Sequence, residues 1–217
     1  MQSIVVLISG GGSNLQAIID HIEAKKLDVN IALVLSNRAD AYGLQRAEKA
    51  GIVTKVVDHT QFNSRELFDQ AMIAEIDVHD PDLIVMAGFM RILSDEFIDH
   101  YAGRMINIHP SLLPDYKGLH THRRVLADKG SQHGATVHYV TSELDSGAAI
   151  LQGQVPVLSE DDESSLQERV HRIEHVIYPE VIEWFAQGRL SNRNHLAYLD
   201  NKRLDQPIII DQPANQH

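Results

Sequence analysis

Two polar residues carry the first hint of chemistry. Asn107 and His109 stand two apart in the run Asn107-Ile108-His109-Pro110. Residues 105–108 read as a strand, and in a strand i and i+2 point to the same side. Pro110 holds His109 extended. An amide and an imidazole are thereby aimed together. The amide can donate to a developing oxyanion, and the imidazole can move a proton near neutral pH. The chain has 13 histidines, so a satisfied surface or core histidine is the bland alternative. Asp145 lies in Thr141-Ser142-Glu143-Leu144-Asp145-Ser146-Gly147, a loop between two expected strands. A carboxylate near His109 would orient the ring and favour its protonated form. The alternative is a turn aspartate before glycine, which is common.

A second cluster is Gly10-Gly11-Gly12-Ser13-Asn14, set between the apolar run of residues 4–8 and a helix start. A turn of this kind presents backbone N–H groups to an anion, and the helix dipole helps. No lysine follows the glycines, as a P-loop requires, and Leu15 occupies the place of the third dinucleotide-fingerprint glycine. The second strand ends Ser36-Asn37-Arg38, with no acid for a ribose hydroxyl. A single phosphomonoester fits this turn better than a nucleoside triphosphate or a dinucleotide; a tight turn without a ligand is the alternative. His120-x-His122 and the pair His171 and His175 lack the His-Glu-x-x-His pattern, so the expectation is no metal.

The elements that must position these groups alternate. Residues 4–8, 30–36, 53–57, 82–87 and 105–108 read as strands buried in a parallel sheet. Helices are expected from near Ser13, over 42–50 with Gly51 as the stop, and over 64–76, where Asn63 stands three before Glu66. A short helix starts at Ser94, and another covers about 120–128. Two further strands fall at 133–140 and 149–157. Leu166, Val170, Ile173 and Ile177 mark a long helix with a kink expected at Pro179. This alternation predicts an α/β fold, a mostly parallel twisted sheet with helices on both faces. One domain is expected over residues 1–210. Its phosphate-binding half covers about 1–100, its catalytic half about 85–190, and a frayed tail follows at 211–217.

The composition limits the function classes. Of 217 residues, 19 are basic and 30 acidic, a formal net charge of −11 that argues against a nucleic-acid binder. Cysteine is absent, which removes disulfides, thiol nucleophiles and thiolate metal sites and suits a reducing, cytoplasmic compartment. The longest apolar stretch, residues 83–90, is too short to span a bilayer, and no secretory signal is visible.

Five runs stand out in chain order: Leu-Ile-Ser-Gly-x-Gly-Ser-Asn-Leu-Gln at 7–16, Ala-Gly-Phe-Met-Arg-Ile-Leu at 87–93, Asn-Ile-His-Pro-Ser-Leu-Leu-Pro at 107–114, Gly-x-x-Val-His-Tyr-Val at 134–140 and Asp-x-Gly at 145–147. Taken together, these motifs resemble the phosphoribosylglycinamide formyltransferases, a folate-dependent formyltransferase family of de novo purine synthesis with a Rossmann-like fold. The resemblance is to the whole set. It covers about residues 2–200 in the family's order, and the run at 107–114 is its most specific part. It implies two small-molecule substrates, 10-formyltetrahydrofolate and 5'-phosphoribosylglycinamide (GAR), and no metal. It implies catalytic roles for Asn107, His109 and Asp145, and a phosphate loop at Gly12, Ser13 and Asn14. Glu174 falls where the family holds the glycinamide amine. His171, a ribose contact, stands where some relatives have glutamine. The folate site falls on Arg65, Met90, Arg91, Ile92, Leu93 and Asn107, and on the loop Thr141, Ser142, Glu143, Leu144 and Asp145. The pterin would sit against Ile92 and Leu93. The chain would act without a nucleic-acid or membrane partner, as a monomer or homodimer.

Related formyl-handling enzymes resemble it less. Methionyl-tRNA formyltransferases add a C-terminal barrel domain, and formyltetrahydrofolate deformylases add an N-terminal regulatory domain. A formyltetrahydrofolate hydrolase and a catalytically inactive phosphoribosyl-ligand binding module remain as alternatives.

Overall fold

The computed structural model describes residues 1–211. The chain divides into two compact units, the first ending at Asn107 and the second beginning at Ile108.

The first unit is built on β1 (Gln2–Ile8), β2 (Val29–Ser36), β3 (Thr54–Val56), β4 (Leu83–Met86) and the start of β5 (Met105–His109). All pair in parallel, in the order β5-β4-β1-β2-β3. Residues 4–8 have no exposed surface, as an apolar run between two neighbouring strands requires. Val6 of β1 faces Val34 on one side and Val85 on the other. The chain steps outward from β1 to β2 and β3, then returns to β4 on the opposite side. The loops after β1 and β4 therefore leave the sheet at a reversal of strand order, where ligands bind in open α/β sheets.

Helices α1 (Ser13–Glu23), α2 (Tyr42–Lys49), α3 (Arg65–Asp77) and α4 (Asp95–His100) connect these strands. The expected helix boundaries hold to within a residue or two, with one correction. The cap of α3 is Ser64, which accepts from the Leu67 N–H at 3.2 Å, so the helix is not opened by Asn63 with Glu66 three residues later. Ser64 is the residue in extended conformation, and its hydroxyl meets the free N–H groups of the first turn.

The second unit contains α5 (Thr121–Ala127), β6 (Gln132–Tyr139), β7 (Ala149–Pro156), α6 (Glu163–Ala186), β8 (Leu190–Arg193), β9 (Leu196–Leu199), β10 (Lys202–Arg203) and β11 (Ile208–Asp211). β6 and β7 form an antiparallel pair, and β11 joins β7 in parallel. β8, β9 and β10 make a small antiparallel sheet. α6 starts with a capping box between Asp162 and Ser165 and runs unbroken through Pro179. Arg169 clasps Asp161 with contacts of 2.5 and 2.9 Å, and this pairing lowers the Asp161 carboxyl to about 2. Gly153 lets the helix lie on the strand, since a Cβ there would meet the Ile173 side chain at 2.2 Å. The strands beyond α6 carry short, weakly patterned sequences and were not expected. Asp211, read as the start of a frayed tail, is the last residue of β11 and pairs with Gln154; residues 212–217 of that tail lie outside the described residues.

Candidate active site

β5 ends in Asn107 and His109, two apart on one strand and so on the same side of it. His109 is buried, and its ring is held from two directions. Nε2 lies 3.0 Å from the Tyr116 carbonyl, and Nδ1 lies 3.5 Å from Asp145 Oδ2. Both neighbours are acceptors, so a ring donating from both nitrogens is satisfied there. Only 8% of the His109 side chain and 7% of the Asp145 side chain is exposed, which keeps water from screening the pair. Asp145 Oδ2 also accepts the Gly118 N–H at 2.9 Å. Its other oxygen lies 3.9 Å from His138 Nε2. His138 donates from Nδ1 to the Tyr139 carbonyl at 2.8 Å, and burial pushes this imidazole down, so it stays neutral. Asp145 is thus a single carboxylate between two imidazoles.

Three groups in this arrangement escaped the sequence reading. His138 points inward from β6; it lies in the run Val137-His138-Tyr139 quoted for the resemblance, but no role was read for it. The turn 115–118 brings the Tyr116 carbonyl to His109 and the Gly118 N–H to Asp145. Its left-handed residues, Tyr116 at φ 55° and Gly118 at φ 79°, aim these backbone groups inward, and only the glycine was legible as a turn signal. Thr136 and Gln152 brace the segment after His109. The Leu113 N–H donates to Thr136 Oγ1 at 3.0 Å, and Thr136 donates to the Ser111 carbonyl at 2.7 Å. Gln152 donates to the Leu113 carbonyl at 2.7 Å. The Leu113–Pro114 peptide bond in this segment is cis.

Near this site His122 Nδ1 and His133 Nε2 are 3.0 Å apart. Burial pushes His122 down to about 4 and His133 to about 3, so one neutral ring donates to the other. Glu174 is buried on α6. His171, one turn earlier, stacks on His175 with ring centroids 6.4 Å apart, and burial lowers its affinity for a proton. Thr141, Ser142, Glu143 and Leu144 form the loop that delivers Asp145. Thr141 donates to the Glu143 carbonyl, while Lys117 Nζ donates to Ser146 Oγ and lies 3.6 Å from Glu143.

In the first unit the glycine turn leads into α1 with Gly12 at its N-cap, in left-handed conformation at φ 69°. A Cβ on Gly12 would meet Gly43 Cα at 2.6 Å, so the close approach of the turn to α2 also demands glycine. No side chain caps α1, and no acid occupies its first turn, which keeps the positive end of the helix dipole uncompensated by carboxylates. Gly10 and Gly11 are exposed, and Ser13 is half-buried. Arg46, not singled out from the sequence, braces the turn: Nε donates to the Gly11 carbonyl at 2.9 Å, and Nη1 donates to Gln16 at 3.0 Å. The segment after β4 carries the other expected ligand contacts. Met90 and Ile92 are 69% and 65% exposed, unusual for large apolar side chains, while Leu93 is buried and Arg91 points to solvent. Arg65 opens α3 and lies 3.6 Å from Glu66. Among the described residues no cluster of three or more metal-ligating side chains is present, and no helix is long and apolar enough to cross a membrane.

The sequence and the fold are similar to those of known proteins. Residues 2–182 fit the model of the formyl transferase family. The chain is 55% identical over 202 residues to the phosphoribosylglycinamide formyltransferase of Escherichia coli, covering 93% of this chain and 95% of that protein. The Haemophilus influenzae protein of the same name is 46% identical over 204 residues, covering 94% and 96% of the two chains. The solved structure of the phosphoribosylglycinamide formyltransferase of Coxiella burnetii shares 52% identity and a TM-score of 0.91, over 95% of this chain and 99% of that one. With a family match that runs from β1 into α6 and relatives alike over nearly their whole length, this chain belongs to the formyl transferase family.

Proposed function

We propose that this chain transfers the formyl group of 10-formyltetrahydrofolate to the primary amine of GAR, giving formyl-GAR and tetrahydrofolate in de novo purine synthesis. The observation that carries this reading is the buried pair of His109 and Asp145, with nitrogen and oxygen 3.5 Å apart, two residues beyond Asn107 on the same strand. The amine nitrogen attacks the formyl carbon, the carbonyl electrons move to oxygen, and a tetrahedral intermediate results. Asn107 donates to that oxygen from its amide. His109 donates as well, its Nε2–H turning from the Tyr116 carbonyl to that oxygen, while Asp145 beside Nδ1 compensates the ring's positive charge. A proton leaves the attacking nitrogen and reaches the leaving folate nitrogen through water held by Asp145. The C–N bond to folate then breaks. Carbonyl polarisation falls to these side chains, and the reaction as proposed uses neither a metal nor a covalent enzyme intermediate.

Gly12, Ser13 and Asn14 take the phosphate, since the α1 N-terminus offers backbone donors and a favourable dipole. Glu174 takes the glycinamide amine, and His171 contacts the ribose. Arg65 and residues 90–93 receive the folate, with the pterin against Ile92 and Leu93 and backbone groups of the loop 141–145. The exposure of Met90 and Ile92 supports that assignment, because an apolar surface kept in water is what a planar ring covers. In this reading residues 1–210 work as a single formyltransferase domain in the cytoplasm, on two small molecules, as a monomer or homodimer.

The test is formyl transfer from 10-formyltetrahydrofolate, followed by absorbance, with GAR and then with water alone. Folate product is expected only with GAR. Product at the same rate without GAR means a hydrolase on the same site. No product in either case, from folded protein, means a binding module.

A further inference from the structure

The segment 87–94 has no regular secondary structure, yet its backbone is fixed at two points by buried side chains from distant parts of the first unit. The Met90 N–H donates to Ser9 Oγ at 2.8 Å. The Ser94 N–H donates to Asp69 Oδ2 at 2.5 Å. Arg91, Ile92 and Leu93 lie between these two pins. Ser9 is itself oriented: its hydroxyl donates to Asn37 Oδ1 at 2.6 Å, which turns its lone pairs toward the Met90 N–H. The Ser9 N–H donates to the Gly88 carbonyl at 3.2 Å, a second tie to the same segment.

Asp69 is the costlier pin. It is 1% exposed, and its other oxygen, Oδ1, is buried with no partner among the described residues. Burial pushes its carboxyl above the usual range, against the hydrogen bonds from Ser94 that favour the charged form. An apolar residue would pack there without that penalty. What the acid supplies is one strong acceptor for one backbone N–H, at the point where residues 90–93 hand over to α4. Arg65 lies one helical turn before it on α3.

We infer that Ser9 and Asp69 are positioning residues that hold the turn 90–94 in the shape that receives the formyl-folate, Asp69 by accepting the Ser94 N–H. The inference rests on the assignment of residues 90–93 to the folate. Neither side chain needs to touch the ligand. Their effect is on preorganisation, so they act on binding of the formyl donor and not on the amine acceptor or the bond-making step.

The test is steady-state kinetics on Asp69→Ala, Asp69→Asn and Ser9→Ala, with 10-formyltetrahydrofolate and GAR varied in turn. Asp69→Ala is expected to raise KM for the formyl donor about five- to tenfold while kcat and KM for GAR stay within about twofold. Asp69→Asn keeps an acceptor oxygen for the Ser94 N–H and buries no charge. Its donor KM is expected within about twofold of wild type, with a melting temperature no lower. The inference is overturned by an unchanged donor KM in Asp69→Ala, by a rise in both KM values together, or by an Asp69→Asn variant as impaired as the alanine one. Should Asp69→Ala not fold, Ser9→Ala decides: faster hydrogen exchange at the Met90 amide with a raised donor KM supports the role, and an unchanged donor KM refutes it. Wild-type protein that transfers no formyl group to GAR fails the underlying assignment instead, which separates that failure from this one.

Discussion

Asp145→Asn preserves the shape of a side chain and removes its charge at the centre of the proposed site. The carboxylate lies 3.5 Å from His109 Nδ1, with both side chains less than a tenth exposed, so solvent screens the pair little. Charges about 4 Å apart at an effective dielectric of about 20 attract by about 4 kcal/mol. The attraction matters most as negative charge builds on the formyl oxygen and the ring donates to it. If half to three-quarters of it is realised at that point, the barrier rises by about 2–3 kcal/mol and kcat falls roughly 30- to 160-fold. The asparagine oxygen can still accept the Gly118 N–H, now 2.9 Å from Oδ2, so the loop keeps its anchor and the fold survives. The assay is GAR-dependent formyl transfer at saturating substrates, with thermal unfolding run in parallel. A folded Asp145→Asn variant within about threefold of wild-type kcat refutes the electrostatic role, since that allows under 1 kcal/mol for a pair this close and this dry.

Asn107→Ala and His109→Ala are each expected to lower kcat by about 10²-fold or more with the unfolding transition intact; near-wild-type turnover from either removes it from the oxyanion role. Gly12→Ala forces a Cβ to 2.6 Å from Gly43 Cα at φ 69°, so a loss of about 1–3 kcal/mol in stability and a raised KM for GAR are expected by thermal melting and kinetics. His122 and His133 are held below the unfolded histidine value, at about 4 and about 3. The unfolded chain therefore takes up protons first, and the stability these rings confer is present above about pH 6.5 and lost as pH falls through their folded values. A melting temperature that does not fall between pH 7 and pH 4 refutes this. A tetrahydrofolate analogue at saturation should raise the melting temperature by mass action, and no shift would sink the folate site.

The first unit was largely legible because its information is local. Residues 4–8 have no polar position, so a strand buried on both sides was the only economical placement, and Gly10-Gly11-Gly12 could only be a turn. What was not legible there is long-range. Asp69 reads as an ordinary helix acid, and only the fold brings the Ser94 amide to it across 25 residues of chain. The same holds for Arg46, which reaches the Gly11 carbonyl from α2. In the second unit the bounds expected for β6 and β7 hold to within a residue, but β8, β9 and β10 were not expected. Their sequences, such as Leu190-Ser191-Asn192-Arg193, lack alternation because their small sheet buries little.

Asp145 had two readings in the sequence, a turn residue before glycine and a partner of His109, and the geometry of its loop separates them. A turn aspartate directs its oxygens to its own backbone, two residues on. In this loop that local bonding is done by others: Thr141 donates to the Glu143 carbonyl, and Ser146 donates to the Leu144 carbonyl. The oxygens of Asp145 go elsewhere, to the Gly118 N–H and toward His109 and His138. The residue itself sits at φ 51°, a left-handed conformation that aspartate tolerates better than most side chains. Two residues on, Gly147 is pressed against β6, where a Cβ would lie 1.8 Å from the Tyr139 carbonyl oxygen. The carboxylate leaves its own turn to face the imidazole at the end of β5, and the catalytic role proposed for it rests on that facing.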